Sequence, residues 1–287
     1  MDSLPAKIRI VEVAPRDGLQ ALKKLLTLEQ KIDWVNRLSE CGYSAIEIGS
    51  LVNHKLVPQM QQTDELFRAI KKSSDCQYLV LIGNLKWLKY AIDLGVKHVS
   101  FMCSASNSFS EKNMHQTLDE NLRGLTSMLE LARQHKLFVR VYLSCSFDCP
   151  CEGRMDERIV SSIVERIWQT GCDEISLSDT TGKAQIVQIQ NLLENCMKLM
   201  PPGHLAVHFH NNQAQALANA LVSLQMGVTS IDSAAGGLGG CPFISHAKGN
   251  LATEHLLYML QGMNIDTGID NEKVLKTSQY ILPLLEG

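Results

Sequence analysis

The residues best placed to do chemistry together are His208 and His210, which flank a single Phe209 at the end of the apolar run Leu205 to Val207. Side chains two apart on a β-strand share a face, so both imidazoles point the same way. Paired with a carboxylate, Asp17, they form a metal-ligand set of neutral nitrogen and ionised oxygen. Asn250 offers either a fourth ligand, through its amide oxygen, or an N-cap for a helix from Leu251 to Gln261. Such a mixed set without thiolate favours magnesium or manganese over structural zinc or an iron–sulfur cluster. An octahedral ion held this way keeps two positions open. Those positions suit a substrate carrying a hydroxyl beside a carbonyl or carboxylate.

Arg16 directly precedes Asp17, and its permanently charged fork suits negative charge developing on an enolate oxygen. Glu47 is expected to orient it, the plain alternative being a buried structural ion pair. Asp179, Gln20, Ser50 and Ser144 also fall at or just past the ends of apolar runs, Asp179 as a further polar group of the site and the other three against substrate. Between Gly236 and Gly240 stand four glycines in five residues, a backbone free enough to close over a ligand. Cys241 follows them, a proton donor or acceptor if its surroundings lower its pKa and an inert thiol otherwise. No G-x-G-x-x-G phosphate fingerprint follows the first strand.

These residues need a scaffold that gathers strand ends. Eight short apolar or β-branched runs supply it: Ile8–Val13, Ala45–Ile48, Gln77–Leu81, His98–Met102, Phe138–Ser144, Glu174–Ser178, Leu205–His208 and Ser230–Ser233. Amphipathic stretches separate them, clearest over Thr27–Cys41, Leu118–His135, Asp156–Thr170, Ala214–Met226 and Leu251–Gln261. Gly42, Gly95, Gly171 and Gly227 stand where left-handed helix ends belong. The pattern predicts an α/β fold, a (β/α)8 TIM barrel with an additional C-terminal helix over Asp270–Glu286, as one domain spanning 1–287. A doubly wound open sheet has the same periodicity. Closure into a barrel puts the seventh, eighth and first strands side by side, which brings Asp17 and Asn250 to the two histidines.

The whole-chain properties narrow the partners. Net charge is −3 over 287 residues with no basic run, which speaks against a nucleic-acid or membrane-surface partner and for a small molecule. No apolar stretch approaches the roughly 18 residues of a membrane span. Nine scattered cysteines without a Cys-x-x-Cys pair fit reduced thiols in a cytoplasmic compartment, and Cys149-Pro150-Cys151 lacks the second half of a zinc site. The first strand begins at Ile8, leaving no room for a targeting peptide.

Assembled, these features resemble the 3-hydroxy-3-methylglutaryl-CoA lyase family of the DRE-TIM metallolyase group, over nearly the whole chain. The resemblance rests on Val11-Glu12-Val13-Ala14-Pro15-Arg16-Asp17-Gly18-Leu19-Gln20, on His208-Phe209-His210, and on Gly237-Leu238-Gly239-Gly240-Cys241-Pro242-Phe243 followed by Gly249-Asn250-Leu251-Ala252-Thr253-Glu254. It implies Asp17, His208, His210 and Asn250 as ligands of a divalent metal, Arg16 as enolate stabiliser, Cys241 as catalytic thiol, and Glu47 and Asp179 as completing the polar site. It also implies an acyl-CoA substrate cleaved to acetyl-CoA and acetoacetate; a homodimer is the expectation for barrels that pair through outer helices. The chain departs from the family pattern in four places. Asn211, Asn212 and Ala214 stand where Asp-Thr and a glycine are usual, removing a negative charge beside the metal. Ile48-Gly49 replaces two hydroxyl residues after Glu47. Ala21-Leu22 replaces Asn-Glu, and Ile244-Ser245-His246-Ala247-Lys248 replaces smaller residues. A condensing enzyme of the same group and a metal-binding barrel without activity are the alternative readings.

Overall fold

A computed structural model describes residues 4–240 and 248–285. Eight parallel strands close into a barrel: β1 Arg9–Glu12, β2 Ala45–Leu51, β3 Gln77–Ile82, β4 His98–Ser104, β5 Phe138–Ser144, β6 Glu174–Asp179, β7 Leu205–Phe209 and β8 Ser230–Ser233. The seam that makes it a barrel is β1 against β8, in register from Arg9 opposite Ser230 to Glu12 opposite Ser233. The open-sheet alternative is thereby excluded. Helices outside the strands cover the apolar outer faces; two of them, Leu28–Ser39 and Leu118–Gln134, begin with reciprocal capping boxes at Thr27/Gln30 and Thr117/Glu120. The four punctuating glycines all take positive φ, between 86° and 94°.

Three local features place the site. After β1 the chain makes one wide helical turn, Ala14–Gly18, in which the Val13 carbonyl accepts from the amides of Arg16, Asp17 and Gly18. Pro15 is its second residue, and π-type turns of this kind recur at functional sites. Within β2 the register slips between Glu47 and Gly49, a bulge that breaks the strict alternation next to Glu47. Beyond β8, residues 249–253 thread back between the ends of β7 and β8: Leu251 donates to Phe209 O, Asn211 to Gly249 O, and Ala234 to Leu251 O. Only glycine fits at 249, because a Cβ there would lie 1.7 Å from the Gly237 carbonyl oxygen.

The C-terminal helix, Asn271–Leu285, packs on Leu28–Ser39 and on the turn after β8. Its Ser278 hydroxyl donates to Glu254, whose carboxylate accepts from the Gly236 amide at 2.9 Å. The tail therefore braces the loop that follows the eighth strand. Cys149-Pro150-Cys151 enters a small hairpin, Asp148–Cys149 against Gly153–Arg154. None of the eight cysteines among the described residues is in a disulfide. No helix among the described residues is long and apolar enough to cross a membrane.

Candidate metal centre

Asp17, His208 and His210 converge at the carboxyl end of the barrel, with one ligand atom of each lying within 4.8 Å of the others. Asp17 Oδ2 is 3.7 Å from His208 Nε2 and 3.5 Å from His210 Nε2. All three are buried. The His210 ring is fixed from behind, since its Nδ1 lies 2.9 Å from the carbonyl oxygen of Asp179, an atom that can only accept. That leaves Nε2 facing Asp17, buried and with no hydrogen-bond partner among the described residues.

Asn250 does not cap the helix that follows it. The helix it was expected to cap begins at Thr253, with Ala252 at the cap position and no side-chain cap bond. Instead an isolated bridge joins Asn250 to His210. Its amide nitrogen donates to Asp17 Oδ2 and to Leu238 O, both at 2.9 Å, and its oxygen is buried with no hydrogen-bond partner among the described residues. Gly239 permits this approach: at φ +127° it has no Cβ, which would otherwise sit 2.4 Å from Asn250 Nδ2. The glycine stretch thus serves close packing of a site residue.

Two buried, unpartnered donor atoms aimed with a carboxylate into one space carry a desolvation cost that a cation would remove. The donor set, two imidazoles and two oxygens without thiolate, fits a divalent ion. Burial opposes ionisation of Asp17, but Arg16 and both imidazoles outweigh it and hold its carboxyl well below the usual carboxylate range. Burial likewise disfavours charge on His210, and Asp17 reverses that, raising its pKa above the ordinary imidazole value.

Arg16 lies between two acids, with Nη1 2.6 Å from Asp17 Oδ1 and Nε 2.5 Å from Glu47 Oε2. No described residue accepts from Nη2. Glu47 is itself held by the Tyr142 hydroxyl at 3.2 Å and by Ser100. Gln20, half-buried, donates to Asp17 Oδ1 at 2.8 Å, which engages it with the ligand cluster. Ser50 and Ser144 lie buried near the ends of β2 and β5.

Asp179 is placed behind the cluster. Its carboxylate accepts from the amides of Lys183 and Ala184 at 3.1 and 3.0 Å, and burial pushes its pKa up to about 6 against those bonds. Its main-chain carbonyl orients His210. Asn211 Oδ1 lies 3.3 Å from the Ala216 amide, turned to the start of the next helix, and Asn212 ties Thr181 O to the Lys248 amide. The Asn211 side chain is thus engaged with the start of that helix. Cys241 and the altered stretch 244–247 lie outside the described residues.

The spacing of chemical residues did not point to Asp232, Arg140 or Tyr142. Asp232 Oδ2 is 3.1 Å from His208 Nδ1, and Arg140 reaches Asp232 Oδ1 and Glu174 Oε2 at 2.6 and 2.8 Å. The signal for Arg140 and Tyr142 was alternation along β5, where Arg140, Tyr142 and Ser144 interleave with Val139, Val141 and Leu143.

A family model described as HMGL-like matches residues 7–281. The rat protein named 3-hydroxy-3-methylglutaryl-CoA lyase, cytoplasmic, is 42% identical over 98% of this chain and 82% of its own length. Hydroxymethylglutaryl-CoA lyase, mitochondrial, from Macaca fascicularis is 42% identical over 99% of this chain and 88% of its own. Among solved structures, hydroxymethylglutaryl-CoA lyase from Pseudomonas aeruginosa superposes with a TM-score of 0.96 at 40% identity, covering 99% of this chain and 95% of that one. An HMG-CoA lyase from Acinetobacter baumannii, solved in complex with coenzyme A and 3-methylmalate, gives 0.94 at 36% identity over 99% and 93%. With the barrel, the arginine–aspartate turn and the His-x-His strand end in place, the chain belongs to the 3-hydroxy-3-methylglutaryl-CoA lyase family.

Proposed function

We propose that this protein is a divalent-metal-dependent carbon–carbon lyase that cleaves 3-hydroxy-3-methylglutaryl-CoA to acetyl-CoA and acetoacetate. The observation that carries the reading is the convergence of Asp17, His208 and His210 beside the unpartnered Asn250 oxygen at the carboxyl end of the barrel, where active sites of this fold are built. These four residues would hold Mg²⁺ or Mn²⁺. When bound, such an ion acidifies a coordinated hydroxyl and polarises a neighbouring carbonyl.

The chain's own residues supply the rest. Arg16, locked by Asp17 and Glu47, keeps Nη2 for the oxygen that gains negative charge as the bond breaks and the acetyl-CoA enolate leaves. Glu47, Tyr142 and Ser100 fix the guanidinium, so its position needs no reorganisation during the reaction. Burial of the set excludes water, which strengthens each charge interaction. Cys241 is assigned the proton transfer to the departing carbon by its place in the family motif.

Acetoacetate release from the thioester, measured with Mg²⁺ or Mn²⁺, with chelator, and in Cys241→Ala, tests this reading. Metal-dependent release that falls sharply in the variant supports it. Faster condensation of acetyl-CoA with a 2-oxo acid would reassign the chain to bond formation, and no metal-dependent product would leave a barrel without activity. A homodimer in the cytoplasm is the accompanying expectation, which light scattering on the purified protein and cell fractionation test.

A further inference from the structure

His208 and His210 are held from behind by different means. His210 Nδ1 meets a main-chain carbonyl, whereas His208 Nδ1 meets the Asp232 carboxylate at 3.1 Å, with the Ser176 hydroxyl 3.3 Å from the same oxygen. Asp232's other oxygen lies 2.6 Å from Arg140 Nη2, and Arg140 continues to Glu174 at 2.8 Å and to the Tyr142 hydroxyl at 3.4 Å. Tyr142 in turn bonds Glu47, which holds Arg16, which holds Asp17. The contacts form a ring through the barrel interior that begins and ends at the metal cluster, and Asp232 and Arg140 are fully buried in it.

Resting on the metal reading above, we infer that Asp232 and Arg140 are positioning residues that together set which nitrogen of His208 carries its proton. One Asp232 oxygen faces the imidazole Nδ1 and the other pairs as an ion with the guanidinium. Arg140 fixes which oxygen serves which partner. With Nδ1 donating to Asp232, Nε2 keeps its lone pair for the ion; outer partners of this kind orient a ligand and raise its basicity.

The consequence is specific. An asparagine at 232 has one acceptor where two are required. The guanidinium claims the amide oxygen, since a cation facing an NH₂ is repelled, so the amide NH₂ turns to His208 Nδ1. The ring then carries its proton on Nε2, where the ion should bind. A residue matching the carboxylate in size would thus block the site through the tautomer.

The test uses purified full-length protein labelled with ¹⁵N-histidine, and titration calorimetry with Mn²⁺ or Mg²⁺. In Mg²⁺-loaded wild type, His208 is expected with its proton on Nδ1. Asp232→Asn is expected to move it to Nε2 and to weaken divalent binding by roughly 10- to 100-fold. Adding Arg140→Gln, whose side-chain oxygen can accept from the asparagine NH₂, frees the asparagine oxygen for His208 and should recover at least threefold of that loss. A merely structural role would give additive losses. Divalent binding unchanged in Asp232→Asn, or weakened with the tautomer unmoved, overturns the inference. If the variants do not fold, a wild-type His208 found with its proton on Nε2 overturns it alone. Absence of divalent binding in wild type would instead refute the metal reading.

Discussion

Glu12 and Asp17 are five residues apart on the same strand-and-turn segment, and both are buried, at 0% and 5% exposure. Their surroundings differ in kind. Glu12 accepts from the amides of Ala14 and Ala235 at 2.9 and 3.0 Å and from the Thr253 hydroxyl at 3.1 Å, fastening β1, the turn after β8 and the following helix together. The groups that donate to it are neutral, and the nearby Glu254 carboxylate adds a like charge. Asp17 sits among Arg16, two imidazoles and an amide, and two of those neighbours carry buried lone-pair atoms with no hydrogen-bond partner among the described residues. Burial raises the Glu12 pKa to about 7 while Asp17 is held far below the carboxylate range. A buried charge alone therefore marks a brace as readily as a site. What marks the site is donor atoms left over around it.

The largest effect expected from this contrast is at Asp17. Asp17→Asn keeps size but removes the charge that two imidazoles and an arginine face, and it should lower divalent affinity and kcat/KM by more than about a thousandfold, several kcal/mol of Lewis-acid stabilisation. Calorimetry and acetoacetate release read both, and binding within tenfold of wild type would break the distinction. At Glu12 the effect should fall on stability. A carboxyl whose folded pKa is raised from about 4.5 to about 7 contributes stability that is present below pH 4.5 and lost as pH rises through 7. The loss is of the order of 3 kcal/mol. Denaturant unfolding at pH 5 and pH 8 should show a smaller pH-dependent drop in Glu12→Gln than in wild type, with divalent affinity kept within about threefold. An unchanged drop would place Glu12 outside the titrating groups.

The Gln20 side chain separates two roles on a smaller scale. If its bond to Asp17 is what matters, Gln20→Ala removes about 1 kcal/mol and weakens divalent binding about fivefold. A raised KM at unchanged divalent affinity would return Gln20 to the substrate.

Much of the fold was legible because strand and helix periods differ. Phe138–Ser144 and Ser230–Ser233 match the structure at both ends, and the five clearest helical stretches all form, shortened by a residue or two at most ends. The helices Thr63–Ala69, Leu85–Leu94, Asn107–Met114 and Ile186–Met197 were less distinct, the first and third being only seven and eight residues long. In the site, the His-x-His pair and Asp17 were legible from spacing, because two-residue periodicity fixes a shared face. Glu12, Arg140 and Asp232 were not, because a polar residue inside a strand reads as half of an ordinary alternation until closure turns that face inward. The wide turn at Ala14–Gly18 has no sequence period at all.

Ala214 gives the smallest effect and a control for the comparison. It follows β7 at φ +56°, exposed, in the position where the family pattern carries glycine. A left-handed alanine costs about 1–2 kcal/mol. Replacing it by glycine relieves that strain but returns about 0.4–1 kcal/mol through the greater freedom of the unfolded chain. Strain relief wins by a narrow margin, since an exposed methyl loses no burial. Ala214→Gly should stabilise the fold by roughly 0.5–1 kcal/mol and raise Tm by about 1–4 °C, with divalent affinity unchanged. A gain in stability with unaltered binding would show that the loop beside the ligands can relax without touching the donor atoms. Weaker binding would mean that the strained backbone itself holds His210 and Asn250 in place, and the site would then depend on strain as well as on unpartnered donors.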